Sequence, residues 1–360
     1  MASTQPPPAD FAVPLTPVQA TTRIITTRMA HAGFIQGLRQ SSNIDPIELP
    51  YVPTVYFPVT GHHLSNRSGF LDFWRANGQL LIFGYPLTEE FIENGRIVQY
   101  FERVRFEFNP QSGQVELGLL GHDVTMDYWI EPVGDPQDGS RYFAETMHTL
   151  NGVFLRYWER HGGLAVFGYP ITEPMQEHGH MVQYFERARF QYEHDQPAET
   201  LYEIRLGDLG RQVTQLRGID TSPVIQMVGA ANWTPGLWSR RVEVNLSTQW
   251  LTAYEADLPV YYAPVATGRD GFNTPTGTYA IYEKLPSQTM AGSAGGESWY
   301  VPNVPWVMYV VGGVALHGTY WHNVFGTGTR MSHGCINLRM DDAQWLYEWA
   351  DIGTTVVIHY

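Results

Sequence analysis

Two stretches of the chain are versions of one another. FLDFWRANGQLLIFGYPLTEEFIENGRIVQYFERVRFEF starts at Phe70, and FLRYWERHGGLAVFGYPITEPMQEHGHMVQYFERARFQY starts at Phe154, an offset of 84 residues with about half the aligned positions identical. With a two-residue gap the match extends upstream, from YFPVTGHHL at Tyr56 to YFAETMHTL at Tyr142. Repetition on this scale means one structural unit used twice. In each copy Phe70, Leu71, Phe73 and Trp74, or Phe154, Leu155, Tyr157 and Trp158, put apolar groups on one helical face, and Gly78 or Gly162 stops the helix. An FGYP turn follows at residues 83–86 and 167–170. Then Val98, Tyr100, Val104, Phe106 and Phe108, matched by Val182, Tyr184, Ala188, Phe190 and Tyr192, alternate as in a half-buried strand. Glu102 and Glu186 interrupt that face, either pairing with Arg105 and Arg189 or marking a bend.

A chain of 360 residues exceeds one ordinary core, so several domains are expected. The boundaries read as a Pro-rich arm or linker at 1–50, repeat modules at 51–125 and 138–212, a connector at 213–240 broken by Pro and Gly, and a β-rich domain at 241–360. A short helix is weakly indicated at 28–39 in the arm. The net charge of −14 argues against nucleic acid as a partner, since phosphate neutralisation needs basic patches. The longest apolar run, 304–316, is too short and Gly-interrupted for a transmembrane segment. MASTQPPPADF lacks the basic and apolar regions of a secretory signal, and its Pro-rich start reads as that of a trimmed mature segment.

In the last domain Val242, Val244 and Leu246 alternate, residues 247–249 turn into a strand at 250–254, and 260–265 is a third strand. Residues 284–302, rich in Gly, Ser and Pro, read as a loop, either a lid or a plain crossover. A buried strand at 307–316 leads to His317, Asp341 or Asp342 caps a helix running to Ala350, and Val356, Ile358 and Tyr360 mark a last strand.

The chemistry concentrates in HGTYWHNVFGTGTRMSHGCINL, residues 317–338, which holds Cys335, the one cysteine of the chain. A lone thiol is commonly a small buried hydrophobe. Set among His317, His333, Gly318, Gly334 and Ser332, it also has the arrangement of a nucleophile with a base beside it. His333-Gly334-Cys335 is too cramped for two metal ligands, so no metal is expected there. His62, His63, His148 and His161 show no repeating ligand spacing either.

HG, a fourteen-residue gap counted from Gly318 to Met331, and S-H-G-C-I-N resemble the signature of the L,D-transpeptidase (YkuD-type) catalytic domain, with TGRDGFNTPTGTYAI at 267–281, which contains TPTG at 274–277, as its approach segment. The resemblance covers about the last third of the chain. It implies a multidomain protein whose β-rich, mixed β-sandwich catalytic domain follows two α+β repeat modules. It also implies acyl transfer on peptidoglycan stem peptides without a cofactor. Cys335 attacks the carbonyl between the third stem residue and D-Ala, and an amine then closes a 3→3 cross-link. Water as acceptor would make an L,D-carboxypeptidase, and a dormant site a non-catalytic wall-binding protein. By the same resemblance His317 is the base, oriented by the Gly318 carbonyl. His333 is the alternative base or a loop-shaping residue, and Gly334 and Cys335 N–H groups form the oxyanion hole. Ser332 and Asn337 support the loop, and Tyr320 and Trp321 bind substrate or support the site. An imidazolium beside Cys335 would lower its pKa. Substrate and site together place the protein outside the cytoplasm. The repeats resemble LGFP-type wall-associated repeats, with FGYP where that family has Leu-Gly-x-Pro. Their aromatic residues either face wall glycan or form the core of a spacer, and the second reading is favoured because such stripes are more often buried.

Overall fold

In the computed structural model, described over residues 52–360 apart from Trp129 and Gln137, each repeat begins as a short hairpin. In the first copy the strands are Thr54–Phe57 and His62–Ser65, followed by helices Phe70–Ala76 and Gln79–Ile82. The antiparallel strands Phe91–Glu93, Arg96–Tyr100, Arg105–Asn109 and Gln114–Leu117 come next, then the helix Leu120–Thr125. The second copy has the same order, from Arg141–Phe143 to the helix Leu209–Arg217. The arm at 1–50, with its short helix at 28–39, lies outside the described residues.

The identical positions make identical bonds. Trp74 Nε1 donates to the Gly84 carbonyl at 3.1 Å, and Trp158 Nε1 to that of Gly168 at 2.9 Å. Gln99 Nε2 bridges the carbonyls of His63 and Thr88, as Gln183 bridges those of Thr149 and Thr172. Glu102 and Glu186 stand at bends and take the N–H of Tyr85 and Tyr169. The pairing with Arg105 and Arg189 is not made, because those cations turn to Glu93 with Glu107, and to Glu177. Phe70, Trp74, Phe83 and Phe106, with Phe154, Phe167 and Phe190, lie in one buried cluster spanning both copies. These rings are committed to the core and are unavailable to a sugar.

The copies exchange their last helices. The Gly121 N–H bonds the Glu186 carbonyl at 2.9 Å, and the Arg211 N–H bonds the Glu102 carbonyl at 3.0 Å. A Cβ at Gly121 would sit 1.8 Å from the Phe185 carbonyl oxygen, and one at Gly210 1.9 Å from that of Phe101. Only glycine permits either approach. The connector therefore starts later than residue 213, because that boundary cuts the helix Leu209–Arg217, which Gly218 ends at φ 64°. The connector then returns to the first copy, where Ala231–Asn232 pairs with Val55 and Tyr56, and Trp233 stacks on Phe57 at 5.5 Å.

The C-terminal domain comprises β1 (Arg240–Asn245), β2 (Trp250–Glu255), β3 (Leu258–Ala266), β4 (Gly277–Ala280), β5 (Glu283–Ala294), β6 (Glu297–Val311), β7 (Val314–Gly318), β8 (Ile336–Leu338), α1 (Met340–Trp349) and β9 (Thr355–His359). These strands form one curled sheet in the order β4-β9-β1-β2-β3-β8-β7-β6-β5, in place of the two sheets expected of a sandwich. The nine-residue β3 causes the continuity: it pairs with β2 along most of its length and with β8 through Val265 and Ala266. Val242, Val244, Leu316, Ile336, Leu338 and Ile358 meet Ala343 and Leu346 of α1 in the core.

Two local expectations fail here. Residues 284–302 belong to a long antiparallel hairpin rather than a loop, closed by Gly295 and Gly296 at φ 58° and 80°. A two-residue Gly-Gly connection in the left-handed region is the turn that matches strand twist. Helix α1 is not capped by an aspartate: Arg339 is its N-cap, and Asp341 and Asp342 are buried in its first turn. Among the described residues no helix is long and apolar enough to cross a membrane.

Candidate functional site

The parallel pair β7–β8 builds the site. Leu316 faces Ile336, His317 faces Asn337, and Gly318 faces Leu338 in the register. Side chains alternate along a strand. Leu316, Ile336 and Leu338 enter the core, so His317 and Asn337 point to the opposite face. Ala315 lies on that face too, and Cys335, just before β8, packs with Ala315, Val304 and Val307. Thiol and imidazole thus share one face of neighbouring strands.

His317 is 2% exposed, and its Nδ1 lies 3.1 Å from the Gly318 carbonyl. A carbonyl only accepts, so Nδ1 carries the proton and Nε2 presents a lone pair. Burial pushes its pKa down to about 4, the Gly318 bond resists the shift, and nearby His322 adds to it. Burial also raises the Cys335 pKa, against the Ala315 backbone bond, which lowers it. The resting pair is therefore neutral thiol and neutral imidazole, not the expected thiolate and imidazolium.

The loop before Cys335 is clamped. Ser332 Oγ donates to the Cys335 carbonyl and accepts from the Gly334 N–H at 3.1 Å. That N–H is engaged, which takes it out of the expected oxyanion hole. Thr274 Oγ1 donates to the Gly334 carbonyl at 2.8 Å and accepts from the Gly268 N–H at 2.9 Å. Gly334 has φ 119°, a conformation that a side chain would strain.

His333 turns elsewhere. Its ring stacks on Trp299 at 4.2 Å and meets the Phe272 edge at 4.8 Å. Its Nε2 lies 3.0 Å from Arg269 Nη2 and 3.4 Å from Glu297 Oε2. Trp299 and Glu297 come from the β5–β6 hairpin, beside its Gly-Gly turn. Tyr320 reaches the Pro302 carbonyl on β6, and Trp321, half exposed, lies 5.7 Å from the His317 ring. Sequence reasoning passed over Arg269, Phe272, Glu297, Trp299 and His322. The Gly295-Gly296 pair between alternating residues was the signal for the hairpin that brings two of them.

Residues 239–358, which carry all of these groups, match the family model described as the L,D-transpeptidase catalytic domain, YkuD, so such a domain forms the last third of the chain. Probable L,D-transpeptidase 3 of Mycobacterium tuberculosis is 31% identical over 101 residues, which cover 26% of this chain and 37% of that protein. Probable L,D-transpeptidase ErfK/SrfK of Escherichia coli is 30% identical over 142 residues, covering 34% and 45%. The chain thus spans less than half the length of these relatives. The NMR structure of the catalytic domain of an E. faecium L,D-transpeptidase covers 34% of this chain and 98% of its own, at 26% identity and a TM-score of 0.31.

Proposed function

We propose that the protein is a peptidoglycan L,D-transpeptidase working through a thioester on Cys335. The observation that carries this reading is the shared face of β7 and β8, which holds the Cys335 thiol and an imidazole whose Nδ1 is bound to the Gly318 carbonyl, leaving Nε2 to accept a proton. His317 Nε2 takes the thiol proton as sulfur attacks the carbonyl that joins the L-centre of the third stem residue to D-Ala. The oxyanion is received by the Cys335 N–H. The tetrahedral intermediate collapses, His317 returns the proton to the leaving amine, and D-Ala departs. An amine of a second stem then attacks the thioester, loses its proton to His317 and forms a 3→3 cross-link, and the thiol is restored. The Arg269–His333–Trp299 cluster beside the Cys335 loop, and Tyr320 and Trp321 beside His317, are the side chains that would meet the donor stem. The buried aromatic cores of the two repeats favour a scaffold over a glycan reader. The site of action is the cell wall, outside the cytoplasm.

The test is intact mass after incubation with a carbapenem, then turnover of tetrapeptide stems. One covalent adduct is expected, lost in Cys335→Ala. Tripeptide without cross-link, in the presence of an acceptor amine, would make the enzyme a carboxypeptidase. No adduct and no stem turnover by a folded protein would defeat the catalytic reading.

A further inference from the structure

His322, in the loop after β7, has no role in the steps above, yet both its ring nitrogens are engaged. Nδ1 lies 3.2 Å from the Val324 N–H, and Nε2 lies 3.0 Å from Asn337 Nδ2. A backbone N–H can only donate, so Nδ1 holds no proton. A neutral ring then carries its proton on Nε2. That would face one donor with another across the Asn337 contact. Amide orientation is an assignment that the hydrogen-bond network must settle. Turning the Asn337 amide over places Oδ1 against Nε2–H, and the contact becomes a bond.

A second observation asks for the same turn. Asn337 is 2% exposed, and with Nδ2 toward His322 its Oδ1 is buried without a partner. A buried acceptor without a donor is costly. Once turned, the oxygen is satisfied and the amide N–H2 group takes its place. Asn337 is the register partner of His317 on the parallel strand, so that group lies on the face of the imidazole and Cys335.

We infer that His322 is a positioning residue which, as its Nε2–H tautomer, fixes the Asn337 amide with its N–H2 group toward the face of His317. This rests on the reading of His317 as the base. A donor held on that face disfavours an imidazolium there, so His317 meets the thiol neutral. Protonating His322 would set a donor at Nδ1 against the Val324 N–H and break that contact, loosening the ring that holds the amide. The titratable group near His322 is His317. Its other neighbours are the Trp321 ring at 6.3 Å, the Phe325 ring at 4.8 Å and Asn337. Burial among them lowers the pKa of His322 and keeps it neutral at neutral pH.

The experiment compares the whole protein with His322→Gln and His322→Asn. Glutamine keeps a donor where Nε2 stands, whereas asparagine keeps only the acceptor near Nδ1. Nitrogen-15 NMR of the wild type near pH 7 should show His322 protonated on Nε2 and bare on Nδ1. Carbapenem acylation of His322→Gln should stay within about fivefold of wild type, and that of His322→Asn should fall roughly tenfold to a hundredfold. A proton on Nδ1, or wild-type acylation by a folded His322→Asn, would overturn the role. A wild type that takes no acyl group, with His322 in the expected tautomer, would remove the base reading and this role together, leaving only the hydrogen-bond assignment.

Discussion

In the proposed reaction His317 can serve as the base because it is buried. Its pKa near 4 leaves the ring neutral through the whole physiological range, while burial holds the thiol above its ordinary value. The sign is simple. Below about pH 4 the imidazole is protonated and cannot accept the thiol proton; above that it can. Carbapenem acylation by the wild type should therefore be flat from about pH 5 to 8 and fall toward pH 4. A step near the ordinary imidazole value of about 6.5 would show that His317 is not the titrating base. His317→Gln should lower the rate by roughly 10²- to 10⁴-fold, the usual contribution of a positioned proton acceptor. His333→Gln should change it much less, because that ring is held by Trp299, Phe272, Arg269 and Glu297.

At the scale of elements, the β5–β6 hairpin depends on its turn. Gly296 has φ 80° and open space where a Cβ would stand, so Gly296→Ala isolates the backbone cost, about 1–2 kcal/mol. Hydrogen exchange of the hairpin amides should quicken accordingly, and Gly296→Asn should cost less, since asparagine tolerates the left-handed region. Equal protection in wild type and Gly296→Ala would contradict this account. The same hairpin marks the limit of sequence reading. Composition suggested a loop at 284–302, because Gly, Ser and Pro weaken a strand signal. Yet Gly292 is a strand residue: a Cβ there would meet the Trp299 ring at 2.3 Å. Where the pattern was apolar and periodic, as at Val242 and Val244 or in the repeat helices, the elements stood out. The motif residues on β7, β8 and the loop between them were legible as a group from their spacing. Their long-range partners were not, because Glu297 and Trp299 reach the site through pairings that no local pattern encodes. The exchanged helices were hidden for the same reason.

At the scale of the molecule, the repeats and the C-terminal domain meet through buried charge. Arg75 reaches the Glu255 carbonyl at 2.9 Å, and Trp349 Nε1 donates to the Glu255 carboxylate at 3.1 Å. Arg160 of the second copy pairs with Asp341 at 3.1 Å, with His161 at 3.8 Å from the same oxygen. Asp342, adjacent and buried, gets no such cation. The Tyr261 hydroxyl donates to its Oδ1 at 2.8 Å, and its Oδ2 has no partner. Burial, with Asp341 beside it, pushes the Asp342 pKa up to about 7. A raised carboxyl binds its proton in the folded state where the unfolded chain has released it. Stability is therefore lost as pH rises from about 4 to 7, and the full cost remains above that. His161, lowered to about 4 by burial, acts in the opposite sense: its cost appears as pH falls from 6.5 toward 4. Wild-type Tm consequently mixes two opposing trends. Asp342→Asn separates them, since an amide keeps the acceptor for Tyr261 and carries no charge. The Tm of Asp342→Asn minus that of wild type should grow from pH 4 to pH 7 and stay constant above. The gain has an upper bound of about 4 kcal/mol, each tenfold change in proton affinity being ~1.4 kcal/mol. A difference independent of pH would mean that Asp342 is ionised in the folded protein throughout, and that the junction tolerates two adjacent buried carboxylates with the charge of Arg160 shared between them.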